Sequence, residues 1–390
     1  MIIRVIYYVA ALIFVFMIVC CGGDDNIGVS SVISTSAQTG PGSTGTYDQT
    51  QIDNVIDQNA DGNTGSLVNS LVPMTIENAT DVRLLATLTD HTDGVWTVAF
   101  SPDGKLLASC AEDGKVLVRK VDSLTVSRQM GEFPSCWIVG LAFSPDSRYL
   151  AYGGAYGFSG SFGTIGMWNV EADSLERLIY GHTQGCWSLD FQECTGILAS
   201  GSFDQTVKLW DPLSGSLLKN LTGHTAAVLS VDINPQQNLI ASSGIDRTVR
   251  LWDSQTGDSV RVLTGHTDNI GYVKFSPDGL TIASSADDRT VRLWNVADGS
   301  LIWAINAYQG WVNCVNFNPD GTLMVTCGHD GTVALRDPEN GLELKQLNGH
   351  TGQVLRGTFN PDGTLLATAS WDNTVRIWGV TQKANPKQIE

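Results

Sequence analysis

GHTDNIGYVKFSPDGLTIASSADDRTVRLW (265–294) is the stretch from which the rest of the chain can be read. Within it, VKFSPDGLTIASS (273–285) places alternating apolar residues on either side of a Pro-Asp-Gly turn, the pattern of one antiparallel hairpin. DDRT (287–290) is a second tight turn, and it leads into a third strand at VRLW. A fourth strand, DSVRVLTGH (258–266), runs in ahead of the stretch.

The stretch recurs. His182, His224 and His266 lie 42 residues apart, and the same step leads to Tyr308 and then His350. Eighteen residues after each anchor stand Ser200, Ser242, Ser284, Thr326 and Thr368. Twenty-two residues after it stand Asp204, Asp246, Asp288, Asp330 and Asp372. Twenty-eight residues after it stand Trp210, Trp252, Trp294, Arg336 and Trp378. From His91 the same spacing gives Ser109, Asp113 and Arg119. One divergent copy lies between, with its FSPD at 143–146, Pro134 and Tyr152 at the His and Ser positions, and extra residues around YGFSGSFG (156–163). Seven units of four short strands over residues 82–380 predict an all-β, seven-bladed β-propeller of four-stranded antiparallel blades.

GHT at 181–183, 223–225, 265–267 and 349–351, with Trp-Asp at 210–211 and 252–253, resembles the WD-repeat β-propeller family over about three quarters of the chain. The resemblance implies a ring closed by completing one blade from both ends. The last unit stops at IWGV (377–380) without an outer strand, and VRLLATL (82–88) is a spare one. The N-terminal strand is therefore expected to pair with the last blade, removing the open edges. The resemblance also implies a role for the repeated polar residues. Asp orients His, His meets Ser or Thr, and the hydroxyl meets the Trp indole, as a buried network repeated in each complete unit. Units one and six carry Arg119 and Arg336 in place of Trp, and each Arg is expected to pair with the Asp six residues earlier, Asp113 or Asp330.

Ser, His and Asp together suggest a hydrolase, but four units carry the full set and an enzyme needs one site. GxSxG, HExxH, P-loop and Rossmann patterns do not occur. No catalysis, cofactor or metal is expected. His329 and Asp287 are the only unrepeated acid–base residues assigned to the channel mouth, and they lie in different units.

Five Trp fall outside the repeat. In the family's geometry Trp137 and Trp311 (three after the anchor), Trp96 and Trp187 (five after it) and Trp371 (before Asp372) share one face. Phe203 and His329 also precede their Asp, and Tyr156, Phe158 and Phe162 of the unit-two insertion join the same side. Trp-rich pockets supply most interface hot spots, so this face is expected to bind a protein or peptide. Sugar stacking or a ligand in the central channel are the alternatives.

Acids outnumber bases 40 to 23, and a net charge of −17 argues against nucleic acid and against electrostatic docking to anionic lipid. The N-terminus is a separate object. MIIRVIYYVAALIFVFMIV (1–19), then Cys20-Cys21, reads as an export leader that resembles a bacterial lipoprotein signal, with Cys21 the lipidated residue. An uncleaved signal anchor is the alternative, and either would hold an exported, monomeric propeller at a membrane. The reading divides the chain into leader (1–21), polar tether (22–79), propeller (80–381) and tail (382–390). DQNADG (57–62) begins like a calcium loop, but its last acidic ligand would fall at Val68, and it reads as linker. Cys110 and Cys327 occupy a small-residue position in equivalent strands and read as buried thiols, while a Cys136–Cys186 bridge stays open.

Overall fold

The computed structural model describes residues 70–130, 137–154 and 163–381. These residues form seven antiparallel sheets, six with four strands and one with five, each in meander order from the channel outward. The innermost strands are Val95–Phe100, Ile138–Phe143, Cys186–Phe191, Val228–Ile233, Ile270–Phe275, Val312–Phe317 and Val354–Phe359. Each touches the next, and the seventh touches the first, so the blades close into a ring. The fold is the seven-bladed propeller the repeat predicts.

The strands form where the alternation put them. In blade five, Ile270–Phe275, Thr281–Ala286, Thr290–Asn295 and Leu301–Asn306 pair in sequence. Their apolar residues pack between neighbouring blades. Trp294 and Phe275, for example, sit with Leu251 and Leu263 of blade four. The outermost strands are half exposed, as their mixed sequences require. One position in four of the blades needs special backbone. Gly181, Gly223, Gly265 and Gly349 of the GHT segments have φ of +149°, +155°, +141° and +145°, a region that disfavours side chains. A Cβ on Gly181 would also lie 2.8 Å from the Trp210 ring.

Ring closure follows the expected route. Arg83–Leu88 pairs antiparallel with Val375–Thr381, matching Leu84 to Trp378 and Leu88 to Val375. The N-terminal part goes further than the sequence suggested. Leu71–Val72 pairs beside Thr381 and Val380, and Met74 and Ala79 are fully buried. Asn318 donates from Nδ2 to the Met74 carbonyl, and Lys345 donates from Nζ to the Thr80 and Val82 carbonyls. Residues 70–79, assigned above to the tether, are thus part of the propeller. The signal was Leu71-Val72-Pro73-Met74, an apolar run inside a polar segment that buries itself against blades six and seven. The leader, Cys21 and the half calcium loop lie outside the described residues.

Candidate recognition face and channel

The repeated polar residues meet in five places as a chain of hydrogen bonds. In blade three, His182 Nδ1 lies 2.8 Å from Asp204 Oδ2, and its Nε2 lies 2.7 Å from Ser200 Oγ. The Trp210 indole N–H donates to the same hydroxyl at 2.7 Å. The set His224, Ser242, Asp246 and Trp252 does the same in blade four. So do His266, Ser284, Asp288 and Trp294 in blade five, and His350, Thr368, Asp372 and Trp378 in blade seven. Blade one keeps His91, Ser109 and Asp113. A neutral imidazole with its proton on Nδ1 satisfies every partner, because it donates to Asp and accepts from the hydroxyl. Burial lowers the His182, His266 and His350 pKa values, favouring that form. Burial alone would raise the aspartates. Bonds from His224, Thr248 and the Thr225 N–H outweigh it and hold Asp246 at about 2.

The order Asp–His–Ser is that of a hydrolytic triad, but the hydroxyls are closed off. Ser200, Ser242, Ser284 and Thr368 have no exposed surface, and each accepts from an indole. A substrate cannot reach them, so these sets hold the blades and do no chemistry.

The Arg-for-Trp exchanges differ from expectation. Asp113 is taken by His91, and Arg119 instead pairs through Nη2 with Asp90 at 2.7 Å. Asp330 caps the Thr332 N–H at its exposed turn. Arg336 reaches the other way. Its Nε donates to Thr326 Oγ1 at 3.0 Å, the bond that an indole makes in other blades. Its Nη atoms donate to the Gly341 and Ala307 carbonyls and to Glu343. Tyr308, at the His position, shares a 2.7 Å bond with the same Thr326 hydroxyl. Blade six has rewired the network rather than lost it. Arg336→Trp should therefore destabilise the domain by about 1–3 kcal/mol, since it strands two carbonyls while restoring one donor. Equal or greater stability in urea unfolding would refute this assignment.

Blade two has lost more. Tyr152 is buried and stands opposite Gly166, where a Cβ would lie 2.1 Å from the ring, so the missing side chain makes room for the phenol. The Trp168 indole N–H has no acceptor among the described residues. Pro134, Cys136, Tyr156, Phe158 and Phe162 lie outside the described residues. Cys110, Cys186 and Cys327 are fully buried.

The unrepeated aromatics do gather. Trp96 of blade one is the hub, with ring centroids 6.2 Å from Trp137, 5.7 Å from Trp187 and 5.6 Å from Trp371. The last two contacts are edge-on, the geometry the ring quadrupole favours. Trp187 stacks on Phe203 at 4.7 Å. Blades seven, one, two and three thus share one aromatic cluster, and every ring in it is half-buried. Gly94 permits it, because a Cβ there would lie 2.9 Å from the Trp371 ring. Trp311 and His329 form their own pair in blade six at 4.8 Å. Glu112, half-buried beside this cluster, has a raised pKa, pushed up by burial and then by Asp93. Asp287 accepts from the Asn269 amide.

Sequence reasoning missed the channel wall. Asp190, Asp232 and Lys274 occupy one register position, 42 residues apart, with Asn316 and Thr358 continuing the series. The innermost strand of a blade leaves one edge of backbone N–H groups unpaired. Asp190 and Asp232 accept those of Ile233 and Phe275 in the next blade, at 2.8 and 2.7 Å. Lys274 pairs with Asp232 at 2.5 Å. Burial pushes Asp190 up to about 7 against the pull of Lys274, with Asp232 pushing the same way. Because the residue type changes from blade to blade, a search for repeats passes over this series. Stepping 42 residues at a time from Asp190 along the innermost strands would have found it.

A closed ring of four-stranded blades with an indole–hydroxyl–imidazole–carboxylate chain defines the class: a WD-repeat β-propeller. The family model described as IFT122 first beta-propeller matches residues 186–389, just over half of the 390. The model described as WD domain, G-beta repeat matches residues 82–119. The chain belongs to this family. No curated protein matches it. WD-repeat propellers generally bind protein partners and typically serve as non-catalytic scaffolds.

Proposed function

We propose that the protein is an exported scaffold, tethered to a membrane by its N-terminal leader, that binds a protein or peptide across the aromatic cluster. The cluster around Trp96 is the observation that carries this reading. Five aromatic rings from four blades converge outside the repeated network and remain half-buried, although the fold does not require them. Such rings supply large contact area at low conformational cost. The leader supports the tether, with lipidation at Cys21 the favoured form and an uncleaved anchor the alternative.

The test is affinity capture from solubilised membranes with residues 70–390 as bait, alongside Trp187→Ala and Trp311→Ala baits and a glycan array. A specific protein partner should be recovered, and Trp187→Ala should weaken it by about 2 kcal/mol, roughly 30-fold. Undiminished capture by both variants, or a glycan as the sole ligand, would overturn the reading. Release from membranes in Cys20→Ala and Cys21→Ala chains decides the tether.

A further inference from the structure

Below the aromatic cluster the channel opens into a cavity of about 590 Å³, a size suited to a small molecule. Asp190, Asp232, Tyr272, Lys274, Asn316 and Arg356 are among the residues that line it. Exposed or half-exposed prolines stand at its rim.

Arg356 is the anomaly. It leaves blade seven and crosses the channel, with its guanidinium carbon 4.0 Å from the ring centroid of Tyr272 in blade five. Its Nε donates to Thr97 Oγ1 in blade one at 3.3 Å. Among the described residues no carboxylate lies within ion-pair distance of it, whereas Lys274 is paired with Asp232. Of the acids that line the cavity, Asp232 is engaged by Lys274 and the Phe275 N–H, Asp190 is engaged by the Ile233 N–H, and Glu193 is exposed to solvent. Stacking on Tyr272 covers one face of the guanidinium, and Thr97 takes Nε. The Nη1 and Nη2 donors have no protein acceptor among the described residues. An arginine held over an aromatic ring with that edge free is preorganised to grip an oxyanion through two parallel hydrogen bonds.

We infer that the lower channel is a binding site for a small polar anion, a carboxylate or phosphate ester, with Arg356 gripping the oxyanion and Tyr272 fixing the guanidinium plane. The wall series Lys274, Asn316 and Thr358 offers hydrogen-bonding groups to the rest of such a ligand. This site is separate from the aromatic cluster and does not depend on the scaffold reading.

The test is calorimetric titration of the full domain at low salt with two probes, inorganic phosphate and citrate. At least one should bind saturably and raise the thermal midpoint, and the stronger of the two identifies the oxyanion class. Arg356→Gln should weaken that probe by about tenfold or more. Arg356→Lys keeps the charge without the fork and should recover only part of the loss. Should Arg356→Gln fail to fold, Thr358→Phe, which fills the cavity wall, should abolish binding in a folded domain. Trp187→Ala should bind as the unmodified protein does. Absence of binding by both probes at about 10 mM, an affinity weaker than that of ordinary small-ligand sites, would overturn the assignment. So would equal binding by the Arg356→Gln or Thr358→Phe variant.

Discussion

Trp252→Ala should lower the stability of the propeller by about 3–5 kcal/mol. Trp252 is 1% exposed and packs in one cluster with Ala199, Val207, Leu209 and Leu221 of the preceding blade. Truncation therefore opens a void at a seam between two blades, where neither sheet can move inward without breaking its own pairing. It also removes the indole donor from the Ser242 hydroxyl, 2.8 Å away. Trp252→Phe separates the two contributions. It keeps most of the packing and should cost about 1 kcal/mol more than its lost volume alone. Urea unfolding followed by circular dichroism reads both, and a loss under about 1 kcal/mol for the alanine variant would show that the seam can collapse.

A chain that begins at Thr89 should yield no stable monomeric propeller, whereas one that begins at Ser70 should. The segment removed contributes the fourth strand of blade seven and buries Met74, Ala79 and Val82. Each large apolar side chain taken from water contributes about 1.5–3 kcal/mol. The strand's hydrogen bonds add to this, so the loss is on the order of the whole stability of a typical domain, about 5–15 kcal/mol. The exposed edge of Val375–Thr381 would then recruit other chains. Size-exclusion chromatography distinguishes the outcomes, and a well-folded monomer beginning at Thr89 would show that closure is dispensable.

Different physical features made different parts of the protein legible. The blades could be read because strand alternation, turn chemistry and the 42-residue step all agree. The closing strand followed from counting, since one blade lacked a strand and 82–88 had one to spare. The aromatic face was legible because its Trp stand outside the positions that the repeat fixes. Its internal arrangement was not. Trp96 as hub, and Trp311 set apart with His329, depend on the angles between blades. The partners of Arg119 and Arg336 were misread because the sequence shows which Asp is near along the chain. It does not show that His91 already occupies one, or that Thr326 awaits a donor. The channel charges were missed for a related reason, as an edge N–H that needs an acceptor has no signature in the residue that carries it.

Leu71 faces Thr381 across a strand pair, so the first and last strands of the ring end side by side. The order in which the blades are written is therefore a convention of the gene rather than a demand of the fold. A short linker could join those ends, and the chain could be reopened at any exposed turn, such as Asp298-Gly299-Ser300, with every blade keeping its neighbours. For the same reason the whole ring could be carried as an insert within a surface loop of another protein.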